Sequence, residues 1–167
     1  TLETFGRIDI LHNNVGHAKM GGKADLTPEE WKREFDLNVH GCFNACKAVI
    51  PHMLAQKRGV ITNISSAAAI RYVGYPYASY YAAKGAVNQF TIGLALQYAG
   101  QGLRANAIMP GLMDTPMIYQ QISVEYSSPE AMAAQRAASC PMGRMGTAWD
   151  VANAAVFLAS DEAAYIT

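Results

Sequence analysis

The chain has little charge, no bias in its sign and no long apolar run, and each shortage removes a class of function. Its 167 residues carry 13 Lys and Arg against 13 Asp and Glu, so that only 16% of the chain is charged. With no basic stripe and no block of like charge, nucleic acid and anionic membrane surfaces are poor partners. No apolar stretch approaches the roughly 18 residues that a membrane span requires, and Thr1-Leu2-Glu3-Thr4 lacks the make-up of a signal peptide. The sequence therefore reads as soluble and cytoplasmic. Cysteine is scarce as well: three residues, an odd number without framework spacing, suit a reducing compartment rather than a disulfide scaffold. Cys42 and Cys46 lie one helical turn apart and read as small apolar packing groups. His12, His17, His40 and His52 are scattered without ligand spacing, so no metal site is expected and the four are assigned structural parts.

What is present is a chain with 51% hydrophobic residues, long enough for one buried core and too short for two ordinary domains. Residues 1–167 are expected to form a single domain. Ile8 to His12 reads as a buried strand ending in the turn Asn13-Asn14-Val15-Gly16. Thr27-Pro28-Glu29-Glu30 opens a helix as cap, first-turn proline and capping box. Trp31, Phe35, Val39, Phe43 and Cys46 extend it at three- and four-residue spacing as far as Met53. Val60–Ile64 and Leu103–Ile108 are two further strands, the latter despite Arg104 and Asn106 and ended by Pro110-Gly111. Between them a helix is predicted over Tyr80–Tyr98, with Ala83, Val87, Phe90, Leu94 and Tyr98 on one face and Gly100 and Gly102 beyond its end. A short helix over Pro129–Ser139 and a last one over Trp149–Ala159, capped by Thr147 or Asp150, complete the reading. No internal repeat or low-complexity tract interrupts it.

Strands alternating with helices through short links imply right-handed crossovers and a parallel sheet with helices on both faces, an α/β/α arrangement. Ligands collect beyond the carboxyl ends of such strands. Three turns fall on that rim: Asn13 to Gly16, Ser65-Ser66 and Pro110-Gly111. At the start of the predicted helix, Tyr80-Tyr81-Ala82-Ala83-Lys84 sets a phenol and an ammonium four residues apart. A free phenol, with a pKa of about 10, is a poor base at neutral pH, and a cation one turn away favours the phenolate. Proton-transfer chemistry is the first functional expectation.

Taken together, the stretch Ile8 to Gly16, Asn38-Val39-His40-Gly41, Asn63-Ile64-Ser65-Ser66, Tyr80 to Lys84, and Pro110-Gly111 with Thr115 resemble the successive motifs of the short-chain dehydrogenase/reductase family. One YxxxK alone is weak, but five motifs in the family's order are specific. His12 and Val15 are mild departures, standing where the family usually has Val and Ala. The resemblance implies a partial doubly wound, Rossmann-type sheet and a hydride transfer between NAD or NADP and a secondary alcohol or ketone, 3-oxoacyl substrates among them. It implies Tyr80 as general acid/base, Lys84 as the group that tunes it and holds the nicotinamide ribose, and Ser66, ahead of Ser65, as the partner of the substrate oxygen. Asn38 would anchor a water linking Lys84 to solvent. Asn14, Val15 and Gly16 would line the adenosine side of the cofactor. Pro110, Gly111, Leu112 and Thr115 would meet the nicotinamide.

The family places a substrate lid after the third of these strands, here residues 112–146. Met109, Met113, Met117, Met142 and Met145 flank the Pro110-Gly111 turn and this segment, which suits a partly apolar substrate. The resemblance also implies a homodimer or homotetramer through the two long helices. Against the family pattern, the first strand with its glycine-rich phosphate turn, the residue that selects NAD or NADP, and the final strand have no counterpart here. The chain is therefore expected to be an internal slice of a longer enzyme whose full activity requires the glycine-rich turn. Two other readings are an enoyl reductase, since Tyr77 lies seven residues before Lys84, and a non-catalytic fragment that associates through its helices.

Overall fold

The chain, described by a computed structural model over residues 1–22 and 25–167, is built on the alternation the sequence predicts. A single turn, α1 (Leu2–Phe5), precedes β1 (Ile10–Asn13). Next come α2 (Pro28–Phe35), a π-helical turn over Asp36–His40, and α3 (Gly41–Gln56). The central strand β2 (Gly59–Ile64) leads through a 3-10 turn into α4 (Ala78–Tyr98) and β3 (Leu103–Ile108). Beyond it lie β4 (Met113–Asp114), α5 (Pro116–Gln121), α6 (Pro129–Ser139), β5 (Gly146–Thr147) and α7 (Ala148–Ala159). The main sheet has the order β1-β2-β3 and is parallel throughout, with Asn13 beside Asn63 and Ile64 beside Ile108.

One face of the sheet carries the core. Ile61, Leu103 and Ala105 pack on Cys42, Cys46, Ile50 and Met53 of α3 and on Leu94 and Ala95 of α4. Both cysteines thus serve as buried packing groups. The opposite face explains why β3 tolerates polar residues. Arg104 reaches across to α7 and donates to the carbonyls of Leu158 (2.8 Å) and Ser160 (2.9 Å) at the helix C-terminus. A polar rail ties the layers: Asn13 donates to Asn63 (2.8 Å), and fully buried Asn63 donates to Thr91 of α4 (2.8 Å).

The differences from the predicted elements have local causes. β1 starts two residues late because Ile8 spends its N–H and C=O on the Gln56 side chain instead of the ladder. The capping box at Thr27 and Glu30 is formed, but the long helix it opens is interrupted by the π-helical turn that contains Asn38. A second capping box, Thr147 with Asp150, starts α7. The two-residue ladder of β4 with β5 and the helix α5 were not anticipated, although Thr115-Pro116 repeats the Thr27-Pro28 signal.

Gly102, at φ +86°, turns the chain from α4 into β3, and a Cβ there would lie 2.1 Å from the Lys57 carbonyl oxygen. Gly102→Ala is expected to cost at least about 2 kcal/mol, read as a lower urea midpoint.

Candidate active site

The polar turns that follow β1, β2 and β3 meet the start of α4 and the segment after β3 around one cavity of about 690 Å³. Asn14 and Gly16 line it from the first turn, Ser65 and Ser66 from the second, and Pro110, Gly111 and Leu112 from the third. Tyr80 and Lys84 enter from α4, and Thr115 from the start of α5. Nearly every sequence-predicted site residue therefore shares one space. Val15 is 81% exposed and Asn38 lies behind the wall, so neither lines the cavity.

Lys84 is the anchor. It is only 4% exposed, its Nζ donates to the Ile64 carbonyl at the end of β2 (2.9 Å), and it sits 5.6 Å from the centre of the Tyr80 ring. Burial pushes its pKa down to about 8, with Cys42 and Glu34 acting in the opposite sense. The Tyr80 phenol is raised above its ordinary value, first by burial, while neighbouring Ser66 lowers it and Glu34 raises it. This corrects the expectation that Lys84 lowers the phenol's pKa: in the chain alone desolvation dominates, and the ammonium is committed to a backbone carbonyl.

The hydroxyls around Tyr80 divide by what they already hold. Ser65 is buried and donates to the Lys84 carbonyl (3.1 Å), which ties α4 to the sheet. Ser66 accepts from the Ala68 N–H (3.1 Å), so its own proton remains available to a ligand. Tyr81 donates to the Tyr75 carbonyl (2.8 Å) and accepts from the Val73 N–H (3.1 Å), which occupies it in holding the loop. Tyr77 is buried with Ile122 and Met132, and burial raises its phenol. Thr115 occupies a helix-capping position yet makes no capping bond, unlike Thr27 and Thr147, and this leaves its hydroxyl for the cavity.

Asn38 works on the main chain. Its amide donates to the carbonyls of His17 and Glu34 (both 2.9 Å), and its oxygen accepts from the His17 N–H (3.3 Å). A Cβ on Gly16 would stand 3.0 Å from that oxygen and 3.1 Å from Lys84 Nζ, so glycine is what allows the first turn to approach the buried ammonium. Other residues at the site were not singled out from the sequence. His12 and His17 line the cavity, although they were assigned structural parts. Glu34, 1% exposed, joins one oxygen to His17 Nδ1 (2.5 Å), while its other oxygen has no partner among the described residues. Its place one turn before Asn38, on the helix face that turns inward, was the signal available.

A parallel α/β/α sheet whose C-terminal rim carries a Ser, Tyr and Lys around one cavity defines a class of nucleotide-dependent oxidoreductase folds. A family model described as enoyl-(acyl carrier protein) reductase matches residues 1–167, and the chain belongs to that short-chain dehydrogenase/reductase family. The 2-(R)-hydroxypropyl-CoM dehydrogenase of Xanthobacter autotrophicus is 42% identical over 170 residues, covering 99% of this chain and 65% of that protein. The 3beta-hydroxysteroid dehydrogenase 1 of Eggerthella lenta is 42% identical over 166 residues, covering 98% of this chain and 61% of that protein. A crystal structure of NAD+-bound xylitol dehydrogenase superposes with a TM-score of 0.91 at 30% identity, over 99% of this chain and 67% of the other. The chain thus spans somewhat under two thirds of the length of these curated relatives.

The depressed pKa of Lys84 has a thermodynamic signature. Native Lys84 releases its proton near pH 8, whereas the unfolded chain holds it to 10.5, so the unfolded state binds more protons between those values. Stability contributed by this residue rises with pH across that window by ~3 kcal/mol and is constant below it. The difference in urea stability between wild type and Lys84→Met should grow in favour of wild type over that window. A difference independent of pH would refute the shift.

Proposed function

We propose that this chain carries the proton-transfer site of an oxidoreductase that moves a hydride between NAD or NADP and a secondary alcohol or ketone. The observation that carries the reading is the convergence of Tyr80, Ser66 and Lys84 on one cavity at the sheet's C-terminal rim. The nicotinamide, when bound, supplies or accepts the hydride. Ser66 donates a hydrogen bond to the substrate oxygen and orients it. Tyr80 gives its phenolic proton to that oxygen in reduction and takes the hydroxyl proton in oxidation. Lys84 holds the ribose, and Asn38 fixes the turn that lets Gly16 pass close to it.

The residues suit a nicotinamide cofactor. Gly16 leaves a backbone cradle that a side chain would fill, and the uncommitted Thr115 hydroxyl and the Pro110-Gly111-Leu112 turn stand where a carboxamide would be held. Asn14, Val15 and Gly16 take the adenosine side. Residues 112–146 serve as the substrate lid. In support, the β4–β5 ladder closes the segment, Ile122 and Met132 seat it on Tyr77, and Met113 and Met117 line the cavity as a partly apolar substrate requires. The chain associates as a homodimer or homotetramer through α3 and α4, whose outer faces expose Phe43, Ile92 and Leu96. Among the described residues no helix is long and apolar enough to cross a membrane.

Tyr77 lines the same cavity seven residues before Lys84 and favours a second reading, reduction of an enoyl thioester. One spectrophotometric assay of the intact protein with a ketone and a trans-2-enoyl thioester separates the two, and the ketone is the expected substrate. Tyr80→Phe should lower ketone turnover about 10²- to 10⁴-fold with stability nearly unchanged. Tyr81→Phe should cost about 1–2 kcal/mol of stability and spare turnover. If Tyr77→Phe or Tyr81→Phe were instead the change that abolishes turnover, the proton donor has been misassigned.

A further inference from the structure

The cavity is one-sided in charge. Arg71, Lys84 and Arg136 all line it, and no aspartate or glutamate does among the described residues. Arg71 is exposed, and Lys84 is engaged at the Ile64 carbonyl. Arg136 is different. It lies on α6 at 7% exposure, and none of the ion pairs among the described residues includes it. Its guanidinium donates to the Tyr75 hydroxyl (3.3 Å), and its buried Nε–H has no partner.

A guanidinium keeps its charge at neutral pH and presents five donors in a planar fork. Removing such a group from water without a counter-anion is costly, and one long hydrogen bond to a phenol offsets little of that cost. The missing partner has a definite chemistry: a small oxyanion, which the fork can grip with two parallel hydrogen bonds. The direction of the remainder of the ligand is set by aromatic rings. From Tyr75, which Arg136 touches, the ring centres step 5.7 Å to Tyr77 and a further 5.9 Å to Tyr80. Ile118 and Ile122 complete an apolar wall beside them.

Building on the oxidoreductase reading above, we infer that Arg136 anchors an oxyanion at the far end of the substrate. The carbinol or carbonyl lies at Tyr80 and Ser66, a short apolar stretch follows the tyrosine rings, and a carboxylate-like group ends at Arg136 with the Tyr75 hydroxyl beside it. The site thus selects anionic alcohols and ketones over neutral ones of the same length. Arg136 and Tyr75 are its specificity residues.

Two readouts keep this inference separate from the reading beneath it. Calorimetric titration of hexanoate and hexanamide into the intact protein reads the anion site without any turnover. Hexanoate should bind about ten- to hundredfold more tightly than the amide, the range of a charge-assisted pair. Arg136→Gln should remove that preference and Arg136→Lys should retain part of it, since lysine keeps the charge but loses the fork. In parallel, reduction of 5-oxohexanoate should exceed that of 5-oxohexanamide through a lower KM in the wild type, with the two equalised in Arg136→Gln. Equal binding of hexanoate and hexanamide by the wild type, which needs no variant to fold, would overturn the anion site. Undiminished hexanoate binding by Arg136→Gln would do the same. Equal reduction of acid and amide would leave the hydride reading standing and remove Arg136 from it. If neither ketone were reduced while the acid still bound through Arg136, the hydride reading would fail and the anion site would remain.

Discussion

A buried ammonium held by one backbone carbonyl organises this site. Lys84 lies one turn after Tyr80 in α4, and among the described residues its side chain hydrogen-bonds Ile64, the last residue of the central strand. With Ser65's bond to the Lys84 carbonyl, that contact ties α4 to the end of the central strand, and the Tyr80 ring lies 5.6 Å from the charge. It also explains the glycine of the first turn, since a side chain at position 16 would press on both Nζ and the Asn38 amide. Because burying a cation is unfavourable, the surroundings are not arranged for stability alone. The depressed pKa of Lys84 and the raised one of Tyr80 are two results of the same dry environment. Titratable groups shifted by burial and facing one another in a cleft are candidates for a functional site.

The sheet supplies the rigidity that such a site needs. The Asn13–Asn63–Thr91 hydrogen bonds run from β1 through β2 to α4, so the register of the strands and the seat of the helix are set together. Ser65 adds a bond from the strand end to the Lys84 carbonyl. Its neighbour Ser66 accepts from the Ala68 N–H and lines the cavity, so the adjacent serines face different partners. Tyr81 and Tyr80 divide in the same way, one bound to the loop over 73–75 and one facing the cavity.

Much of this was legible in the chain because the relevant signals are local. Leu103–Ile108 and Pro129–Ser139 match their predicted bounds, being ended or opened by Pro110-Gly111 and Ser128-Pro129. The capping boxes at Thr27 and Thr147 are visible as residue types at fixed spacing. What was not legible depends on partners distant in sequence. Asn38, within the π-helical turn, is held by His17, 21 residues away. The two-residue strands β4 and β5 are too short to show a period. The burial of Arg136 is likewise unmarked, since charged residues at helical spacing ordinarily face solvent.

The account stands or falls on whether a substrate oxygen reaches the Tyr80 and Ser66 hydroxyls together. A crystal structure of the intact protein with a nicotinamide cofactor and a bound ketone measures this directly. The prediction is a ketone oxygen within about 2.6–3.2 Å of both hydroxyls, with Lys84 still against the end of β2. A ketone seated elsewhere on the rim, or an oxygen held by Tyr77 with Ser66 unengaged, would contradict it.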